Sequence, residues 1–390
     1  MPMTDQAPPR LATVQELRLV AFKSHAGTVL PLAPVTVLHG ASGAGKSNAL
    51  DALVALAGLA GGEELPEALS GVRGGLAGCV PYGRQGFRLG CSVGTPQGVV
   101  ALEVSVRTDG RPRIVAERLT QDGALLLSTG EEDPTRARIN ATWHSDGRQG
   151  DIRAPLSASC LLTAQLPLRV AGANPGEQRV LRAVEHLLTA LREVFPIDPV
   201  PSLMRGWVPE TDDARLRTSA ENLSAVIARI EGECRIRYGK LVQAVRSGTP
   251  FPVAGLGVLR DGPVVPAGAG RVIAALEEGG GHRTSAASMG AAALRRLAFA
   301  TVLLTGPGVL QVSSAGEVPD VDRLLTVLAE ELDLGLLPLA GEVVARGHVR
   351  LLATSGEAAA GEGVRNLACR RDPATGRSVL EESVAPDRGE

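Results

Sequence analysis

Short aliphatic and β-branched runs alternate with helical stretches along this chain, and their order predicts a mixed α/β protein. A strand is expected over 17–22, followed by apolar pairs and runs at 29–30 and 35–38, broken by Pro31 and Pro34. From 47 to about 59 the period lengthens to that of a helix, with Leu50, Leu53, Val54 and Leu56 at helical spacing. A glycine-rich stretch over 61–90 reads as loop. Between 89 and 127, β-like runs are separated by the turn signals Asp109-Gly110 and Asp122-Gly123, which predicts an antiparallel meander. After a polar segment over 130–151 the pattern turns helical. The stretch 177–195 sets Val180, Leu181, Val184, Leu187, Leu188 and Leu191 on one face, and 222–245 reads as a second long helix. Helix is expected again over 291–304 and 321–332, with buried strands over 309–312 and 349–353.

Composition narrows the function. The 390 residues carry 40 basic and 42 acidic side chains, a net charge of −2, which argues against a dedicated non-specific nucleic-acid binder. Hydrophobic residues make up 44 % and charged residues 21 %, so the chain can bury cores of ordinary size. Aromatic residues are 2 %, too few for a base-stacking platform of the single-strand-binding kind. Five scattered cysteines, never spaced C-x-x-C, suggest neither a disulfide framework nor a zinc site. The opening residues lack a secretory pattern, and no apolar run is long enough to span a bilayer. A soluble cytoplasmic protein without membrane association is expected.

The strongest chemical signal is Gly40-Ala41-Ser42-Gly43-Ala44-Gly45-Lys46-Ser47, which fits G-x-x-x-x-G-K-[ST] at every defined position. It lies between an expected strand and an expected helix, where glycines let backbone N–H groups face a phosphate and the helix dipole adds positive potential. Lys46 would reach the β- and γ-phosphates of ATP, and the Ser47 hydroxyl would ligate Mg²⁺. Of the 40 basic residues only Lys23, Lys46 and Lys240 are lysines, and one of them stands where a compact point charge is needed.

With this loop in view, a family resemblance emerges. Leu17-Arg18-Leu19-Val20-Ala21-Phe22-Lys23-Ser24, then Val35-Thr36-Val37-Leu38-His39-Gly40 and Gly45-Lys46-Ser47-Asn48, resemble the opening of RecF/SMC-like ATPases. These are ABC-type heads, including short predicted ATPases often labelled AAA family. Pro201-Ser202-Leu203-Met204-Arg205 and Glu221-Asn222-Leu223-Ser224-Ala225-Val226 resemble stretches of their helical lobe. The resemblance implies a P-loop head with a mixed main sheet, an antiparallel side sheet and a helical lobe. It divides the chain into a tail (1–11), a first lobe (12–150), a helical lobe (151–282) and a second lobe (283–390). It also implies that Lys23 and Asn48 lie beside the nucleotide, and that two protomers sandwich it head to tail. Ser288 and Gly290, in Ser285-Ala286-Ala287-Ser288-Met289-Gly290-Ala291, resemble the serine and second glycine of the L-S-G-G-E signature. The same segment reads equally as a helix start built from small residues.

Measured against that family, the hydrolytic elements look altered. The strand 309–312 is the expected Walker B strand, and Ser313-Ser314 follow where a carboxylate pair should stand; Glu317, Asp320 and Asp322 come next. Thr354-Ser355-Gly356 occupies the place of the switch histidine. Two functions remain open: an ATP-binding switch with weak or absent hydrolysis, closing on a second copy or a protein partner, and a working ATPase in DNA repair or genome defence that uses Glu317 or Asp320. Charge does not support DNA as a partner. Gln85 is a candidate Q-loop glutamine. The basic face Arg235, Arg237 and Lys240, the acidic run 131–133, His186 and the glycine triplet 279–281 read as solvated surface or connector.

Overall fold

The computed structural model describes residues 11–133, 136–148, 150–213, 215–249, 251–261, 270–306 and 324–383. The chain opens with an antiparallel hairpin, β1 (Thr13–Phe22) and β2 (His25–Pro31), then enters β3 (Val35–His39) and the loop that leads to helix α1 (Lys46–Ala60). Leucines 50, 53, 56 and 59 of α1 are buried together with Ala49, Ala52, Ala55 and Ala60, so this helix is covered on most sides. The glycine-rich stretch expected to be irregular holds two short helices, α2 (Leu65–Ala68) and α3 (Gly75–Cys79).

A six-stranded meander follows: β4 (Gly86–Thr95), β5 (Gly98–Arg107), β6 (Arg113–Gln121), β7 (Ala124–Asp133), β8 (Arg138–Trp143) and β9 (Ile152–Ser157). Its alternation is plain in β5, where Val100, Leu102, Val104 and Val106 point inward between more exposed neighbours. Asp122 and Gly123 both take positive φ in the two-residue β6–β7 turn, as the Asp-Gly signal predicted. Helices α4 (Leu162–Gln165) and α5 (Pro175–Arg192) precede strand β10 (Val194–Ile197). The Asn174 side chain accepts the N–H of Glu177 and so caps α5, with Pro175 in its first turn.

The middle of the chain holds α6 (Pro201–Met204), β11 (Val208–Pro209), α7 (Leu223–Glu233), α8 (Arg235–Arg246), β12 (Val253–Asp261), β13 (Arg271–Glu278) and β14 (Arg283–Ser285). Helix α9 (Ala291–Thr305), strand β15 (Leu325–Ala329), helix α10 (Leu337–Ala345) and strands β16 (Val349–Ser355), β17 (Val364–Arg371) and β18 (Ser378–Ser383) complete the described chain.

Fourteen strands form one sheet in the order β10-β15-β16-β3-β17-β18-β2-β1-β4-β5-β6-β7-β8-β9. The run from β10 to β17 is parallel, and the meander continues the same sheet antiparallel through β1 and β4. This is the mixed α/β plan with its main sheet and antiparallel extension. Along β3, β15 and β16 successive residues enter two different cores. Leu38, Leu328 and Leu352 pack with α1, α5 and the meander, whereas Val37, Val327 and Leu351 pack with α7, α8, α9 and α10. Strands buried on both faces are expected where helices cover both sides of a parallel sheet.

Three expected elements are corrected. The helix over 222–245 is two helices, broken at Cys234, whose φ of −144° and ψ of 92° are extended. The middle region is not purely helical, because β11 to β14 form a small antiparallel sheet within it. Most consequentially, residues 325–329 of the helix expected over 321–332 form strand β15, pinned between β10 and β16. Leucines at 324, 325 and 328 fit a helical stripe, but parallel pairing on both edges and burial on both faces favour the strand. The strand expected over 309–312 lies outside the described residues.

Candidate nucleotide site

Register places the site. His39 ends β3 and pairs with Ser355 of β16, and Ala329 at the end of β15 pairs with Ala353. The loop 40–45, the acidic pair Glu330-Glu331 and the 354–356 segment therefore emerge together at the carboxyl ends of adjacent parallel strands, where open α/β sheets bind ligands.

The loop's shape needs its glycines. Gly40 has φ +138°, and a Cβ there would lie 2.3 Å from the Cys369 carbonyl oxygen. Gly45, at φ +107°, caps α1, and a Cβ on it would meet Ser378 Oγ at 2.1 Å and Ser24 Oγ at 2.9 Å. The crest is tied from below: the Ala44 carbonyl accepts from Ser378 Oγ (2.6 Å) and Cys369 Sγ (3.3 Å), and His25 Nε2 lies 3.0 Å from the Gly45 carbonyl. Burial pushes the Cys369 thiol up to about 11, so it remains a neutral donor. Burial likewise holds the His25 imidazole below its ordinary value, despite the Gly45 carbonyl, with the Arg371 charge adding to the effect. Among the described residues the N–H groups of Gly43, Gly45, Lys46 and Ser47 form no hydrogen bond. A row of free donors at a helix start, with a lysine and a serine hydroxyl beside it, fits a nucleotide phosphate chain and its Mg²⁺. Lys46 Nζ currently donates to the carbonyls of Gly40 (2.6 Å) and Ala41 (3.0 Å).

A charge network surrounds Ser47. Its hydroxyl donates to Glu330 Oε2 at 3.2 Å, and Arg73 reaches Glu330 at 2.7 Å, the Ser47 carbonyl at 2.7 Å and Asp51 at 3.0 Å. Partial burial opposes the Arg73 charge, but Asp51 and Glu330 together raise its pKa above the ordinary arginine value. Lys23 donates to Asp51 at 2.6 Å and to the Arg73 carbonyl at 2.8 Å. Lys23 stands at φ 49° on the tip of the β1–β2 turn, an uncommon conformation for a residue with a side chain. That tip also brings Ser24 Oγ to within 2.8 Å of Asn48 Nδ2. Lys23, Asn48, Lys46 and Ser47 thus surround the first turn of α1.

A carboxylate pair that the sequence reading did not single out, Glu330-Glu331, adjoins the loop. The expected positions Ser313 and Ser314, and the alternatives Glu317, Asp320 and Asp322, lie outside the described residues. Strand β15 lies two strands from β3 in the sheet, and Glu330 and Glu331 follow it. Glu330 faces Ser47; Glu331, at φ 50°, is largely exposed, with Arg295 of α9 at 3.8 Å and its own N–H donating to Thr354 Oγ1. A sequence signal was present, since Leu324-Leu325-Thr326-Val327-Leu328-Ala329 runs directly into two glutamates. Asp51 and Arg73 had no sequence signal of their own and appear only through folding.

Ser288 and Gly290 lie exposed at the start of α9, where Gly290 is the capping residue. The segment is held by Arg205, whose guanidinium donates to the Met289 carbonyl at 3.1 Å. No described hydrogen bond joins this segment to the loop of the same chain. Gln85 is turned to Arg107, which donates to its amide oxygen at 2.9 Å. Ser355 is buried and accepts the N–H of Glu357.

No helix among the described residues is long and apolar enough to cross a membrane. No family model matches the sequence, and no curated protein matches it. Among solved structures, the chain is similar to an Smc head domain with an extended coiled coil, bound to the C-terminal domain of ScpA, from Pyrococcus furiosus. The identity is 13 %, covering 96 % of this chain and 96 % of that one, with a TM-score of 0.46. It is similar to the SMC head domain from Thermotoga maritima at 11 % identity, covering 96 % and 100 %, with a TM-score of 0.42. It is also similar to the recombination mediator RecF with ATP, at 11 % identity, covering 98 % and 100 %, with a TM-score of 0.39. The chain is thus similar to SMC and RecF heads along nearly its whole length.

Proposed function

We propose that this chain is a Mg–ATP-binding switch that closes head to tail on a second copy and turns ATP over slowly, with Glu330 and Glu331 as its acidic pair. The observation that carries the reading is the contact between the Ser47 hydroxyl and Glu330 at 3.2 Å, beside a loop with four free N–H donors. Loop amides and Lys46 would hold the phosphates, with Lys46 exchanging two loop carbonyls for phosphate oxygens. Ser47 and Glu330 would hold the ion. Mg²⁺ bound there would neutralise phosphate charge as a Lewis acid. Arg73 keeps Glu330 and Asp51 from repelling one another, and Lys23 holds Asp51 from the other side. Glu331, one residue beyond Glu330, is placed to orient a water once closure draws it from the surface.

Two features support slow rather than fast turnover. The signature-like segment has Ala287, Met289 and Ala291 where the family pattern has a leucine, a glycine and a polar residue, and Ser355 stands at the switch position. Losing one acid–base or orienting group typically costs 10²–10⁴-fold in rate. The exposed start of α9 supports a role in trans, because its Ser288 hydroxyl and free helix end are open to a second copy.

Phosphate release tests this. Slow, Mg-dependent release from the unmodified chain is expected, falling at least tenfold in Glu331→Gln while ATP binding persists. Release unaffected by Glu331→Gln but abolished by Glu317→Gln would assign the chemistry elsewhere and reject the pair.

A further inference from the structure

The segment Thr354-Ser355-Gly356 has no imidazole, yet one of its residues bonds the acidic pair. Strands β15 and β16 pair in parallel as far as Ala329 and Ala353. Beyond that pair a single residue takes over. Thr354 Oγ1 accepts the N–H of Glu331 at 2.9 Å, and the Thr354 carbonyl accepts the N–H of Leu332 at 2.9 Å. Thr354 is 1 % exposed and pairs with Leu38 of β3, so it stands in the strand between the acidic pair and the phosphate loop. The Ser355 hydroxyl serves its own turn instead, accepting the N–H of Glu357.

The bond to Glu331 coincides with a strained backbone. Glu331 has φ 50°, in the left-handed region that a side chain disfavours. Such a conformation persists only where its surroundings over-determine it. Here β15 fixes the chain before the acidic pair, and the buried Leu332 fixes the chain after it. With both flanks held, a return to negative φ would swing the Glu331 side chain away from its present position beside Arg295. Glu330 would be spared, because Ser47 and Arg73 hold its carboxylate.

We infer that Thr354 is a positioning residue for the acidic pair: its hydroxyl and carbonyl hold Glu331 in the left-handed conformation and so aim its carboxylate. This rests on the reading of Glu330 and Glu331 as the acidic pair and adds to it what sets the direction of the second glutamate. The segment thereby acts through the backbone of the neighbouring chain, with no contact to the nucleotide required. The hydroxyl oxygen is the acceptor, so serine can take the place of threonine, whereas valine has nearly the same shape and no acceptor.

Phosphate release and ATP binding, each with Mg²⁺, are measured in the intact chain, in Thr354→Val, Thr354→Ser and Glu331→Gln, and in the double variant Thr354→Val with Glu331→Gln. Thr354→Val should lower kcat roughly tenfold and leave KM and ATP affinity within about twofold of the parent, because a misaimed group loses rate without losing ligand. Thr354→Ser should recover most of that rate. In the Glu331→Gln background, Thr354→Val should cost less than about twofold more, since both changes act through one carboxylate. Equilibrium unfolding adds a readout free of turnover. Glycine takes φ 50° without strain, so Thr354→Val should lower the denaturant midpoint less in Glu331→Gly than in the parent. A parent-like kcat in Thr354→Val, losses that multiply in the double variant, or equal falls in midpoint in both backgrounds would overturn the inference and leave the acidic pair standing. Release that Glu331→Gln leaves unchanged would reject the acidic pair itself, and Thr354 as its positioning residue with it.

Discussion

At the scale of single residues, the loop's glycines are not equivalent, and the difference is measurable. Gly40 and Gly43 both have positive φ, but a Cβ on Gly40 would strike a backbone carbonyl, whereas one on Gly43 would meet nothing within 4 Å. Gly43→Ala should therefore cost about 1 kcal/mol of stability, the conformational penalty alone, and Gly40→Ala about 3 kcal/mol or more. Denaturant midpoints of the two variants decide this; equal losses would mean that the loop yields at Cys369. The loop's shape was legible in sequence, because its glycine spacing marks the positive-φ positions at Gly40, Gly43 and Gly45. Asp51 and Arg73 were not legible. Their partners lie 22 to 257 positions away, and no local pattern encodes such distances.

His25 gives a second residue-scale prediction. Burial disfavours protonation of its imidazole in the folded chain, so its folded pKa lies below the ordinary 6.5 and the unfolded chain binds more protons near that pH. Stability from this group is present above pH 6.5 and is lost as pH falls below that value. His25→Gln keeps a donor for the Gly45 carbonyl and removes the titration. Between about pH 8 and about pH 5.5, its unfolding free energy should fall less than that of the parent. Equal falls would show that His25 accepts its proton without cost.

At the scale of elements, what misled the sequence reading was the run before Glu330. Leu324, Leu325 and Leu328 satisfy a helical stripe as well as a doubly buried strand, and periodicity alone does not separate the two in so short a run. The strand wins because β10 and β16 pair with both its edges. The same region shows how α9 is fastened to the segment between β15 and α10. The buried Arg296 pairs with Asp333 and donates to the Ala244 carbonyl (2.9 Å), Ser247 Oγ (3.0 Å) and the Gly335 carbonyl (3.3 Å). Lysine carries the charge but not the fork, so Arg296→Lys should cost about 2 kcal/mol by equilibrium unfolding. A loss under about 0.5 kcal/mol would show that the fastening is not needed.

At the scale of the whole molecule, much of the plan was visible beforehand. The loop, the first helix, the first strands of the meander and strand β16 each carry a local signature, from the glycine-lysine loop to the Asp122-Gly123 turn. The continuity of the 14-stranded sheet was not visible, because it depends on β18 meeting β2 at the single pair Ser378 and His25. That junction also places Ser378 under the Ala44 carbonyl, so the end of the described chain supports the loop near its beginning. The sheet, two cores and three segments far apart in sequence thereby converge on one helix start. Calorimetric titration of ATP with Mg²⁺ into the intact chain and into Lys46→Ala measures nucleotide binding there directly. Saturable binding to the parent, weakened at least tenfold by Lys46→Ala, is the expected result; no binding by the parent, or equal affinity in both, would contradict it.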